Sequence, residues 1–98
     1  MARCTIQKRT VICGGHETFL KQIRKNLDGD IRFIDREQVF PVSLIRHADV
    51  VWIQTNAISH KQYNRVMRQA RNYRKPIKYF GCASAEKCAA QLAACDVM

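Results

Sequence analysis

The chain has 98 residues, enough for one domain with a modest core and too few for two. Its 17 Lys and Arg against 8 Asp and Glu leave a net charge of +9, which favours anionic partners: nucleic acid, phosphorylated ligands or carboxylate-bearing cofactors. No apolar run approaches the roughly 20 residues that cross a bilayer, and the opening MARCTIQKRT is too polar for a signal peptide.

The first strand is predicted in TVICGG, an apolar run stopped by Gly14 and Gly15. HETFLKQIRKNL follows with Phe19, Leu20, Ile23 and Leu27 at helical spacing and Lys21, Arg24 and Lys25 on the other side. DGD then reads as a turn, and DIRFID as a second strand. The segment from Arg36 to Pro41 has no clear pattern, whereas PVSLIRHAD suits a short helix with Pro41 near its first turn. ADVVWIQTN is a continuous apolar run of the kind buried in parallel sheets, and reads as the third strand.

SHKQYNRVMRQARNYRK has the strongest helical pattern, with Ser59 as N-cap and Tyr63, Val66, Met67, Ala70 and Tyr73 as its inner stripe. PIKYFG is the fourth strand. SAEKCAAQLAACD closes as a helix with a Ser84 cap and with Cys88, Leu92 and Cys95 on one face. Four strand–helix units without a linker imply a single α/β domain over residues 1–98. The expected architecture is a small three-layer, parallel four-stranded sheet of flavodoxin-like or half-Rossmann type, in the order 2-1-3-4.

In that order the chain reverses between the first and third strands, and ligands of such sheets bind outside the carboxyl ends of the strands at the reversal. The first strand ends at Gly14-Gly15-His16-Glu17 and the third runs into Thr55, Asn56, Ser59 and His60. Two histidines distant in sequence are thereby expected at one crevice, each opening a helix. Gly14 and Gly15 allow close backbone approach to a ligand. The helix N-termini make the crevice electropositive, and a neutral imidazole ligates metals or haem iron. Glu17 could ligate or orient a histidine, and it equally suits a first helical turn, where the dipole favours an acid. Each histidine alone also reads as an ordinary helix-start residue. His47, beside Arg46, reads as surface.

The five cysteines form no C-x-x-C pair, which argues against a disulfide framework or a zinc knuckle and for thiols in a reducing, cytoplasmic setting. Cys13 reads as core, Cys88 and Cys95 as helix-face packing. Cys82 follows the fourth strand on the same sheet edge and is the one candidate third ligand. The third helix carries Lys61, Arg65, Arg68 and Arg71, with Lys75 just beyond, along a broad outer face that could follow a phosphate backbone. Helix-turn-helix, zinc-finger and RNP signatures are missing.

The set VICGGHE, ADVVWIQTNAISH and RKPIKYF, in its residues Gly14, Gly15, His16, Glu17, Ser59, His60, Lys75 and Pro76, resembles the small bacterial proteins of domain-of-unknown-function family 2325. The resemblance runs from about Val11 to Ser84 and implies a compact α/β domain with functional histidines, without an activity. The leading expectation is a non-enzymatic cofactor-binding or sensing protein, with His16 and His60 holding haem iron or a divalent transition metal. Two histidines are too few for a closed structural zinc site. They suit an open site, one completed in a homodimer, or haem, which takes one or two axial ligands. C-x-x-C-H attachment of haem is excluded. The alternatives are an electrostatic nucleic-acid module on the third helix, or a phosphate-ligand enzyme using a histidine as acid–base near Asp35.

Overall fold

The computed structural model describes residues 4–35 and 39–96. Residues 36–38, within the segment that the sequence leaves without a pattern, lie outside it. In chain order the elements are β1 (Cys4–Cys13), α1 (Glu17–Asn26), β2 (Leu27–Ile34), α2 (Val42–Arg46), β3 (Val50–Ile53), a 3-10 turn (Thr55–Ala57), α3 (His60–Asn72), β4 (Ile77–Tyr79) and α4 (Ala85–Asp96). The four strands are all parallel in the order β2-β1-β3-β4, as the alternating pattern predicts.

The strands alternate their side chains between two cores. On one face Ile12, Val50 and Trp52 meet Phe19 and Ile23 of α1 and Cys88, Ala89 and Leu92 of α4. On the other, Val11, Cys13, Val51 and Ile53 meet Ile45 of α2 and Val66 and Ala70 of α3. The result is the three-layer sandwich expected of strand–helix repeats. Among the described residues no helix is long and apolar enough to cross a membrane.

Two strands begin earlier than their sequence suggests. β1 starts at Cys4 rather than Thr10, although Gln7, Lys8 and Arg9 are polar. Ile6 is buried and pairs with Gly29, so the expected DGD turn is instead the start of β2. The register shifts between Ile6 and Thr10, which marks a bulge. Asp96, at the end of α4, holds that bulge: its carboxylate accepts hydrogen bonds from the Gln7 and Lys8 backbone amides at 2.7 and 3.0 Å. α4 therefore buries Cys88, Ala89, Leu92 and Asp96, with Cys95 only partly covered.

α3 departs from its expected stripe in the same way. Val66 and Ala70 are buried with Gln62, one turn earlier, while Tyr63 and Met67 are only partly covered and Tyr73 is exposed. Gln62 is accommodated because its Nε2 donates to the Asp35 carbonyl oxygen at 2.9 Å, tying α3 to the end of β2.

Cys13 lies fully buried in the sheet, and desolvation pushes its thiol from the usual 9.0 up to about 12. The folded value lies above the unfolded one, so the buried thiol costs nothing below about pH 9. From there the unfolded thiol ionises while the folded one does not, and stability falls by up to about 1.4 kcal/mol per pH unit until about pH 12. Urea unfolding across that window should show this decline, and Cys13→Ala should make it shallower. An unchanged slope in Cys13→Ala would contradict the assignment.

Candidate functional site at the carboxyl edge

β1 and β3 are neighbours, with Cys13 opposite Ile53, so the loops leaving them start side by side. The chain then diverges: α1 packs on one face and α3 on the other. This divergence makes the two helix starts the switch point of the sheet. His16 occupies the N-cap position of α1 in an extended conformation, without a capping hydrogen bond from its side chain. His60 is the first residue of α3. Both are exposed.

The two loops are joined directly. The Gly15 amide donates to the Ala57 carbonyl oxygen at 2.7 Å, and the Gly14 amide to the Ile34 carbonyl oxygen at 2.9 Å. The loop after β1 is thus fastened to the end of β2 and to the 3-10 turn after β3. Gly14 and Gly15 have φ of +86° and +100°, where residues with a Cβ are strained. A Cβ on Gly14 would lie 2.9 Å from the Gln54 carbonyl oxygen and 3.0 Å from that of Ala57. The close approach Gly14 permits is therefore to the neighbouring loop of the chain itself, while a Cβ on Gly15 would meet the Phe19 ring of α1.

The remaining predicted residues take definite places. β3 ends at Ile53, so Thr55 and Asn56 lie in the exposed 3-10 turn rather than on the strand. Ser59 is the N-cap of α3, its Oγ accepting from the Gln62 amide at 3.1 Å, as its sequence position predicts. Glu17 pairs with Lys21 one turn on, at 3.2 Å and largely in solvent. Cys82 follows β4, on the far side of β3 from β1, and its Sγ lies 3.9 Å from that of Cys88. Among the described residues no three His, Cys, Asp or Glu side chains are grouped to hold an ion. His16, His60 and Cys82 accordingly form no three-ligand set within one chain.

Gln54 is the residue that sequence reasoning missed. It is 2% exposed, and its side chain bridges two loops: Nε2 donates to the Cys82 carbonyl oxygen at 3.0 Å, while Oε1 accepts from the Asn56 amide at 3.3 Å. Its place directly after the apolar run VVWI is the only signal in the sequence. Three clefts of about 400, 370 and 250 Å³ lie elsewhere, and none is lined by His16 or His60. The largest, beside α2, is bordered by Arg9, Arg32 and His47, with Asp30 pairing with both arginines.

On α3, Lys61, Arg68 and Arg71 are exposed and Arg65 half-exposed, with Lys75 half-exposed beyond its end. No described carboxylate forms an ion pair with any of these five. These cations, interspersed with Asn64 and Asn72, make the helix surface basic.

No curated protein and no solved structure matches the chain. A bacterial family described as "Uncharacterized protein conserved in bacteria" matches residues 9–95, which extends the resemblance seen in the sequence through most of α4. With that match spanning nearly all of the α/β domain, the chain belongs to domain-of-unknown-function family 2325.

Proposed function

We propose that this protein is a non-enzymatic cofactor-binding or sensing protein in which His16 and His60 bind one ligand across the β1/β3 switch point. The observation that carries this reading is the 2.7 Å hydrogen bond from Gly15 to Ala57, which fastens together the two loops that end in the histidines. Haem iron is the favoured ligand. Among the described residues a bare ion would find fewer than three grouped protein donors, whereas haem supplies its own equatorial nitrogens and asks the protein for one or two axial ligands. Lys61 and Arg65, just beyond His60, provide cations for haem propionates. A transition-metal ion shared between two copies of the chain is the other form of the same reading. Thiols without disulfide partners suit a cytoplasmic, reducing setting.

The basic surface of α3, without an ion pair among the described residues, favours a second reading, electrostatic binding of nucleic acid, with steep salt dependence.

Titrating untagged protein with ferric haem, and separately with divalent transition metals, tests the proposal. A shifted Soret band at one haem per chain, or per pair of chains, is expected. A metal bound without haem would keep the histidine site and replace its ligand. Failure of both titrations, with oligonucleotide binding that weakens as salt is added, would overturn the proposal in favour of the second reading.

A further inference from the structure

Cys82 and Cys88 are separated by five residues in sequence and by 3.9 Å between sulfurs, with neither in a disulfide. Cys88 sits in the second turn of α4, fully buried. Cys82 is half-buried in the bent segment before the helix, next to Gly81, around which there is open space. A disulfide needs the sulfurs at about 2.05 Å, so forming it draws Cys82 and Cys88 together and shifts the bent segment, whose Gly81 amide donates to Gln91 Oε1 of α4 at 3.2 Å. The Cys88 thiol already points at its neighbour, donating to the Cys82 carbonyl oxygen at 3.2 Å.

We infer that Cys82 and Cys88 form an oxidisable dithiol, converted to a disulfide by hydroperoxides, whose oxidation loosens the turn between β3 and α3. Cys82, the accessible sulfur, attacks the peroxide as its thiolate. The O–O bond breaks, the distal oxygen stays on sulfur as a sulfenic acid, and the other leaves as an alcohol, or as water from hydrogen peroxide. The Cys88 sulfur then attacks the sulfenic sulfur. The S–S bond forms, the S–O bond breaks, and the hydroxyl departs as water with the Cys88 proton. Two thiols and one hydroperoxide thus yield one disulfide, one alcohol and one water. Burial pushes the Cys88 thiol up to about 12, in keeping with its second place in this order.

The consequence runs through Gln54. Its Nε2 donates to the Cys82 carbonyl oxygen at 3.0 Å and contacts the Cys88 sulfur at 3.9 Å, and both partners shift when the disulfide forms. At 2% exposure Gln54 has almost no water to turn to, so its side chain must move with them. Its Oε1 then releases the Asn56 amide, in the turn whose Ala57 carbonyl oxygen holds Gly15. The device works in the protein without any ligand and is independent of what the histidines bind.

The test treats the reduced full chain with stoichiometric hydrogen peroxide, blocks remaining thiols after unfolding, and maps tryptic peptides. Cleavage after Lys87 separates the two cysteines, so their cross-link joins two peptides. Fragmentation distinguishes Cys88 from Cys95. The expected cross-link is Cys82–Cys88, present in the parent and in Cys95→Ser and absent in Cys82→Ser, with several-fold faster amide exchange at Asn56 in the oxidised protein. Cross-links through Cys4 or Cys95 instead, over-oxidised Cys82 beside a fully blockable Cys88, or a disulfide with unchanged exchange at Asn56 would each overturn the inference.

Discussion

Replacing Trp52 by alanine should cost about 3–5 kcal/mol, the range for deleting a large buried aromatic side chain. Trp52 is 2% exposed in a central strand, in register with Ile12 on one side and Lys78 on the other. Its ring stacks on Phe80 at 4.9 Å between centroids, and Phe80 meets Phe19 edge-on at 6.0 Å. These rings join β3, α1 and the segment after β4, so the cavity would open where three elements meet and collapse would need all three to move. A domain of this size has roughly 5–15 kcal/mol in total, so Trp52→Ala removes a large part of it. Trp52→Phe, which keeps a stacking ring, should lose less than half as much. Urea unfolding of the three proteins checks this, and a loss below about 1 kcal/mol for Trp52→Ala would place the core elsewhere.

Gly14→Ala should be nearly as damaging, by about 2–4 kcal/mol, from a strained left-handed backbone together with overpacking. The new methyl meets two backbone carbonyl oxygens and the Cβ of Ile58, none of them the end of a flexible side chain. Gly15→Ala meets Phe19 instead, 2.5 Å from its Cδ1, and must displace a ring of the buried aromatic set. Gly14→Ala therefore pries the two loops apart, while Gly15→Ala disturbs the core beneath them. Both should weaken ligand binding at the histidines under conditions where the variants remain folded. Gly14→Ala unfolding with wild-type stability would contradict the tight joint between the loops.

The strand order was legible because the four apolar runs are short, β-rich and separated by amphipathic segments, which leaves few topologies. What the sequence hid was polar residues used internally. Gln62, Val66 and Ala70 lie four apart, so the buried stripe of α3 is present in the spacing and masked only by the amide of Gln62. Lys8 and Arg9 masked the first half of β1 in the same way, since what holds that half is a carboxylate 88 residues away from Lys8. Hydrogen bonds such as these come from partners distant in the chain, and no local pattern encodes them. At the site, the meeting of the two loops was legible from the switch-point rule. The role of Gly14 was not, because a Cβ there would meet the Gln54 and Ala57 carbonyl oxygens of the loop after β3, far away in the chain.

The pair Gly14-Gly15 thus explains how His16 is brought beside the loop of His60, and the ligand remains the central claim. The most direct test is a double-mutant cycle on haem binding with His16→Ala, His60→Ala and the double variant, each first shown to be folded. If both imidazoles act on one iron, each single variant should lose affinity and shift the Soret band, and the losses should be non-additive by about 0.5–3 kcal/mol. Strictly additive effects, or a spectrum untouched by either substitution, would contradict a ligand shared by His16 and His60.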